Sequence, residues 1–247
     1  MKRQLLFLIS FTSVVISPVI AFSEEKDNWQ FELAPFYLWA INIDGDFGLR
    51  GKTTSTNIDF NDVWGNLQGV LTVRFNALYH RKIGLFFDYN YLNLETKPVT
   101  RTGATEVGFT SQILNLAGTY RFMEGRHTVD GLAGIRYNKM DADVNFNLVG
   151  ITLDGDQNWV DPIIGLRYEY SLSDKWALRL YGDIGGFGVS SDFTWQAIFQ
   201  IHYQPWENVS LVGGFRALGI DYESGSSEEF SYDTTAYGPL VGLDIRF

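Results

Sequence analysis

Few residues in this 247-residue chain have the types and spacing that enzyme chemistry requires. Hydrolysis needs a base whose pKa lies near the working pH, and histidine supplies it most often. The three histidines are His80, His127 and His202. Each lies in or within two residues of a short predicted turn, which favours a turn or interfacial role. Because cysteine and the GxSxG, HExxH and P-loop patterns are also absent from the sequence, we predict that the chain is not an enzyme and needs no cofactor.

Clustered carboxylates offer a second kind of chemistry. Two Asp-Gly-Asp triplets contribute Asp44 and Asp46, and Asp154 and Asp156. Carboxylate oxygens are ligands that Ca²⁺ and Mg²⁺ prefer, but Asp-Gly is also an ordinary turn signal. Neither triplet continues into a calcium-binding loop that ends in a bidentate glutamate. We therefore predict turns at both triplets and no metal, with these four aspartates as weak metal candidates.

The first 23 residues have the pattern of a secretory signal peptide. Lys2 and Arg3 precede an apolar run from Leu5 to Ile20, and small residues follow it. The run is short for a membrane-spanning helix and is diluted by serine, threonine and proline. We predict a cleaved signal peptide at 1–23 and one domain at 24–247. The formal net charge of −10 argues against a nucleic-acid partner, because phosphate binding needs clustered basic residues.

From residue 29 onward, apolar residues recur at every second position, which is the period of β-strands. Within Leu67–Tyr79, for example, Val73 and Phe75 alternate with Thr72 and Arg74. Ten such segments occur, and most have the length of a tilted membrane-spanning strand, about 9–11 residues. The predicted strands are Trp29–Trp39, Leu67–Tyr79, Ile83–Tyr91, Ser111–Phe122, Val129–Lys139, Trp159–Tyr170, Trp176–Phe187, Phe193–Tyr203, Val209–Ile220 and Tyr232–Phe247.

The connections between these segments alternate in length. The short ones are His80–Lys82, Met123–His127, Ser171–Lys175 and Pro205–Asn208, and the others are mostly longer, namely Ile41–Asn66, Thr96–Thr105, Met140–Asn158 and Glu223–Ser231, with Gly188–Asp192 as a short exception. Short periplasmic turns and long outer loops are typical of outer-membrane barrels. We predict an all-β fold, a single antiparallel up-and-down transmembrane barrel of about ten strands, with eight or twelve as alternatives. In the loops we expect a helical turn at Asn61–Trp64 and a strand extension at Val144–Leu148 and Ile151–Leu153.

Aromatic residues concentrate at both ends of the predicted strands, as expected for rings at the two membrane interfaces. The outer group is Trp39, Tyr91, Phe193, Trp195 and Tyr237, and the periplasmic group is Tyr79, Phe122, Tyr168, Tyr170, Trp176, Tyr203, Trp206 and Phe247. A secreted, lipocalin-like barrel with an apolar interior is the alternative fold. It does not explain the two aromatic groups or the alternating connection lengths.

The strand alternation also places charged residues on the inward face. We predict that seven arginines and seven acidic residues point into the lumen: Arg74, Arg121, Arg136, Arg167, Arg179, Arg216 and Arg246, with Glu32, Asp88, Asp130, Asp161, Glu169, Asp183 and Asp244. An arginine facing lipid at mid-depth would cost about 2–4 kcal/mol, so energetics favours the inward assignment. In a narrow barrel this set predicts a paired network that fills the lumen, and a charged pore constriction is the alternative.

Several segments resemble known outer-membrane proteins. The chain end, Tyr237–Phe247, resembles the C-terminal strand of Gram-negative barrels, in which Leu243, Ile245 and Phe247 correspond to the alternating apolar signal read by the barrel assembly machinery. The chain is also similar to an uncharacterised proteobacterial family of small barrels of the OmpA/OmpX type, through Ala34–Trp39, Trp159–Pro162, Gly182–Asp192, Phe193–Gln196 and Gly213–Tyr222. The resemblance implies an outer-membrane barrel, and the family carries no assigned activity.

These observations predict a non-enzymatic structural or surface-interaction protein of the outer membrane with a charge-plugged lumen. Its expected partners are outer-membrane lipid and lipopolysaccharide at the surface, and the barrel assembly machinery during biogenesis. A narrow passive channel is the first alternative and an outer-membrane hydrolase is the second. The sequence leaves the oligomeric state and any loop ligand open.

Overall fold

The computed structural model describes residues 28–49, 52–96, 106–146, 151–224 and 230–247. The predicted signal peptide at 1–23 lies outside the described residues, as does the start of the predicted domain. The helices and strands are β1 Trp29–Trp39, β2 Asn42–Leu49, β3 Lys52–Ile58, α1 Phe60–Gly65, β4 Leu67–Tyr79, β5 Ile83–Thr96, β6 Glu106–Met123, β7 His127–Phe146, β8 Ile151–Ser171, β9 Trp176–Gly186, β10 Phe193–Tyr203, β11 Val209–Ser224 and β12 Phe230–Arg246.

Ten of these strands close into an antiparallel barrel. The hydrogen-bonded order runs β1, β4 and then β5 to β12 in chain order, and β12 pairs with β1 to complete the ring. The predicted ten-stranded up-and-down barrel is confirmed. No helix among the described residues has the length and hydropathy needed to cross a membrane.

Beyond the ring, β2 and β3 form a hairpin that the sequence did not predict. It lies in the connection 41–66, and β2 continues the sheet along the far half of β12. The segment Lys52–Ile58 is mostly threonine, serine and asparagine, so it has none of the apolar alternation that marks a strand. The helical turn expected at Asn61–Trp64 is present as α1, and β7 and β8 remain paired as far as Phe146 and Ile151, as predicted.

Side chains alternate between the two faces of the wall. Large apolar side chains such as Leu85, Ile164 and Leu180 are exposed on the outside, while charged and amide side chains are buried inside. We call the end with the connections 80–82, 124–126, 172–175 and 204–208 the turn end, and the opposite end the loop end. At the turn end, His80 and Arg81 both have positive φ, the geometry of a tight two-residue hairpin.

One interface in the wall lacks a continuous backbone ladder. β1 pairs with β4 only as far as Ala34 and Arg74, and β1 then continues along β12 alone. Pro35, which has no N–H, sits in a bulge at this point. Across the gap, the backbone N–H of Tyr37 donates instead to Oγ1 of Thr72 at 3.1 Å. We call this gap, between residues 36–39 of β1 and 67–73 of β4, the β1–β4 seam.

Candidate functional site

The barrel interior holds the fourteen charged side chains that the sequence assigned to the lumen, and the structure arranges them in two layers. The middle layer consists of Arg74, Asp88, Arg136, Asp161, Asp183 and Arg216, and all six side chains are buried. The turn-end layer consists of Glu32, Arg121, Asp130, Arg167, Glu169, Arg179, Asp244 and Arg246. Arg246 is at the mouth, where 37% of its side chain remains exposed.

Arg136 is the most completely enclosed member of the middle layer, with 0% exposure. Its Nη2 donates to both carboxylate oxygens of Asp183, at 2.8 and 3.0 Å. Its Nε donates to Asn115 at 2.8 Å, and its Nη1 donates to Thr194 at 2.6 Å. The guanidinium is therefore held from three strands, β6, β9 and β10, and its charge-assisted hydrogen bonds to carboxylate are stronger than those between neutral groups.

Asp88 joins the other two arginines of the middle layer. One carboxylate oxygen lies 2.9 Å from Nε of Arg74, and the other lies 3.3 Å from Nη2 of Arg216. Arg216 Nη1 donates to the hydroxyl of Tyr37 at 2.7 Å, and Tyr37 in turn donates to Asn90 at 2.7 Å. Arg216 comes from β11 and Asp88 from β5, so this pair spans the lumen.

Asp161 differs from the paired network that the sequence predicted. It makes no ion pair with an arginine within the described part of the chain, and it accepts hydrogen bonds from neutral donors. Ser191 donates through its backbone N–H at 2.8 Å and its hydroxyl at 2.7 Å, and Trp159 Nε1 donates at 3.0 Å. Ser191 reaches this position because the short β9–β10 connection turns inward. Its backbone amide and its hydroxyl supply the hydrogen bonds to Asp161 that we expected from an arginine.

The turn-end layer surrounds an open cavity. Arg179 contacts Glu32 and Glu169, each at 2.7 Å, while Arg121 and Arg167 share Asp130 at 2.7 and 2.8 Å. The cavity has a volume of about 420 Å³, and no middle-layer residue lines it. We call it the turn-end vestibule. It enters the barrel from one side and stops below the middle layer.

His202 is buried inside the barrel, so the turn or interfacial role that the sequence predicted for it is wrong. Its Nδ1 lies 3.2 Å from a carboxylate oxygen of Asp244. The alternation of β10 could have predicted this position, because His202 is an even number of residues from Gln196 and Gln200 and lies with them on the inward face. His127, in contrast, lies at the turn end and contacts the hydroxyl of Tyr168 at 2.8 Å. The described histidines therefore lie at the turn end or in the lumen, away from the loop-end rim.

The loop-end half of the lumen is apolar and aromatic. Trp159 stacks on Tyr222, with ring centroids 3.9 Å apart, and Phe230 lies beside them. Trp39, which the sequence placed in the outer aromatic group, is instead inside the barrel with 8% exposure. The bulge at Pro35 reverses the alternation of β1, so Tyr37 and Trp39 face inward although Phe31 and Leu33 lie on the other face.

Both Asp-Gly-Asp triplets lie within strands, so the predicted turns are wrong. Asp44 and Asp46 are exposed on β2, and the second triplet lies in β8. Gly45 has φ +143, and a Cβ there would lie 2.2 Å from the carbonyl oxygen of Asp233, so close strand contact explains this glycine. Within the described residues, no three acidic or histidine side chains are grouped to hold a metal, and Asp156 lies 3.8 Å from Lys139. Asp154 is on the same strand as Asp156.

Acidic side chains are nevertheless close together at the loop-end rim. Burial, together with Asp233, Asp192 and Glu223, raises the pKa of the Asp221 carboxyl above its ordinary value. The rim therefore concentrates negative charge at the end that is opposite the arginine-lined vestibule.

The proposed assembly signal forms the last contact of the ring. The backbone N–H of Phe247 donates to the carbonyl of Phe31 at 3.0 Å, and the reciprocal bond is 2.8 Å. Leu243 and Phe247 are exposed on the outer wall, and Ile245, on the same face, is partly exposed.

Comparison with known proteins identifies an architecture. No family model matches the chain, and no curated protein does. The solved structure of the outer-membrane protease OmpT from Escherichia coli matches with a TM-score of 0.54 at 9% identity, over 92% of this chain and 99% of that one. Ail from Yersinia pestis, in complex with a heparin analogue, matches with a TM-score of 0.40 at 9% identity, over 89% of this chain and 97% of that one. The outer membrane protein OprG from Pseudomonas aeruginosa matches with a TM-score of 0.38 at 13% identity, over 90% and 97%. In its fold, the chain is a closed ten-stranded β-barrel of the outer-membrane type.

Proposed function

We propose that the chain is a non-conducting, non-enzymatic barrel of the Gram-negative outer membrane that acts through its loop-end surface. The observation that carries this proposal is the middle layer. The side chains of Arg136, Asp183, Arg216 and Asp88 are 0% exposed and interlock across the lumen. A water-filled pore would leave such charges hydrated.

The energetics of the middle layer favour a closed lumen over a charged constriction in an open pore. We call the middle layer in this role the plug. Charges that lose their water must be compensated by close partners, because an uncompensated buried ion is costly. Each guanidinium of this layer contacts a carboxylate, with Asn115, Thr194, Gln196 and Tyr37 supplying further hydrogen bonds. The network therefore supports the proposal that the middle of the lumen is a packed structural core of the barrel.

The surface role rests on the loop end. The exposed carboxylates of the rim include Asp44, Asp46 and Asp233, and the β2–β3 hairpin extends the wall beyond the ring. Such a surface suits partners that carry or bind divalent cations, and we propose lipopolysaccharide bridged by these cations as the partner. A hydrolase most often uses histidine as its base, and the described histidines lie away from this rim.

Single-channel recording of the refolded full-length protein tests the plug. We expect the native barrel to show no steady conductance. Arg136→Ala should show leak or flicker as water enters the space that the guanidinium leaves. Steady open-channel currents in the native protein would contradict the proposal and favour a narrow passive channel. Folding of both proteins is checked first by heat-modifiable gel mobility.

Surface labelling of intact cells tests the orientation. Ser55→Cys, an exposed position in the β2–β3 hairpin, should react with an impermeant thiol reagent. Ser173→Cys, in the turn that joins β8 and β9, should react only after the outer membrane is opened. Because the native chain has no cysteine, it is the background control. The reverse labelling pattern would show that the loop end faces the periplasm.

A further inference from the structure

An apolar chamber lies in the loop-end half of the lumen, next to the middle layer. Its volume is about 40 Å³, and its walls include Trp39, Ile41, Leu92, Ile113 and Ile220. Asn90, which hydrogen-bonds to Arg216 of the middle layer, also lines it. Towards the loop end, Val63 of α1 packs with Leu92 and Leu94. The chamber is therefore bounded by the ionic plug on one side and by an apolar cluster on the other.

A buried hydrogen-bond donor in this chamber has no acceptor. Trp39 is more than nine-tenths buried, and its Nε1 has no partner within the described part of the chain. Indole nitrogen only donates, so the missing partner must be an acceptor atom. The Arg216 guanidinium lies over the same ring, 4.6 Å from its centroid, and fixes its position. Buried donors are normally paired, so an unpaired one that lines a cavity indicates a ligand atom.

The wall beside the chamber has no backbone ladder at the β1–β4 seam, where the buried Thr72 hydroxyl bridges the two strands through hydrogen bonds with the N–H and the carbonyl of Tyr37. Trp39 and Ile41 follow the point at which the β1–β4 backbone ladder stops. On the outer side, the seam is flanked by Phe36 and Leu71, both exposed apolar side chains. Parting this one side-chain contact would give an apolar chain on the outer wall a route into the chamber that does not cross the middle layer.

We propose that the chamber binds the oxygen-bearing end of an alkyl-chain molecule, of the fatty alcohol or fatty acid class. The oxygen accepts the hydrogen bond from Trp39 Nε1, and the chain leaves through the seam into the surrounding lipid. A whole ligand does not fit inside, because a cavity that holds benzene has about 150 Å³. The ligand does not need to pass through the middle layer to reach this site. The site is also separate from the surface role proposed for the loop-end rim.

The test uses the full-length protein in lipid nanodiscs, labelled with 5-fluorotryptophan and titrated with 1-octanol. Trp39→Phe identifies the Trp39 resonance in the fluorine NMR spectrum. We expect this resonance to shift saturably, while Trp195, on the outer face, shows only the non-saturating drift of a lipid-facing residue. Because n-octane has no acceptor, its apparent affinity should be at least about 10-fold weaker.

Two variants fill the chamber from opposite walls, Ala236→Leu on β12 and Ser111→Leu on β6. Each should abolish the saturable shift. Ala197→Leu, the matched substitution on the exposed outer face, should leave it unchanged. All variants are checked for folding by heat-modifiable gel mobility, and either filling variant alone suffices if the other fails to fold. Three results would overturn the proposal. The first is an equal response to octanol and octane, and the second is a shift that survives filling of the chamber. The third is a Trp39 resonance that does not respond, which is expected if water alone occupies the chamber.

Discussion

Replacing Arg136 with alanine is expected to lower the free energy of unfolding by about 3–5 kcal/mol, because it leaves a buried carboxylate without its partner. Asp183 would lose the two hydrogen bonds from Nη2 at 2.8 and 3.0 Å, and Asn115 and Thr194 would each lose a donor. The measurement is urea-induced unfolding of the protein in lipid vesicles, followed by tryptophan fluorescence.

Lys139→Ala is the matched control on the same strand. Lys139 contacts Asp141 and Asp156 at 3.6 and 3.8 Å and is about one-third exposed, so its removal should cost about 0–1 kcal/mol. A double variant, Arg136→Met with Asp183→Leu, removes both charges and should recover much of the lost stability. If Arg136→Ala and Lys139→Ala unfold at the same urea concentration, the middle layer is hydrated and the lumen is not plugged.

Deleting Phe247 is expected to leave most of the protein unassembled, because the deletion removes both a ring-closing contact and the apolar chain end. The two backbone hydrogen bonds with Phe31 are worth about 1 kcal/mol each. The Phe247 ring also lies 5.5 Å from the Phe31 ring. The measurement is the amount of heat-modifiable barrel in the outer-membrane fraction, with proteolysed chain expected in the periplasm.

Two substitutions separate an assembly signal from simple ring closure. Phe247→Ala keeps both backbone hydrogen bonds but removes the ring, and it should reduce insertion if the ring is recognised. Phe247→Trp keeps an aromatic end and should insert almost normally. Normal insertion of both the deletion and the alanine variant would show that the chain end carries no assembly signal.

The sequence by itself determined the strands of the wall and, away from the bulge in β1, the face that the lumen-facing charged side chains take. Period-2 alternation is a local property, since it depends only on the pleat of one strand. Residues such as Asp88, Arg179 and Arg216 could therefore be assigned to the lumen without knowledge of any neighbouring strand. Connection lengths are equally local, and they established the antiparallel order of the ring.

Tertiary structure decided which inward residues meet. Arg136 lies opposite Asp161 in the β7–β8 register, yet it bonds to Asp183 on β9. Arg216 and Asp88 are 128 residues apart and come from β11 and β5. The pair of Arg216 and Asp88 forms only once β1 and β12 join, because closure brings distant strands to face each other across the lumen.

The local interruptions of the strand alternation also became visible only in the tertiary structure. One bulge at Pro35 moved Trp39 from the predicted outer aromatic group to the chamber, because a single extra residue exchanges the two faces of every position that follows. The β9–β10 connection delivers Ser191 to Asp161 through its own inward turn. Periodicity does not predict such a turn, because the turn depends on the backbone path of a few residues. It also depends on the nearby carboxylate of Asp161, which accepts its hydrogen bonds.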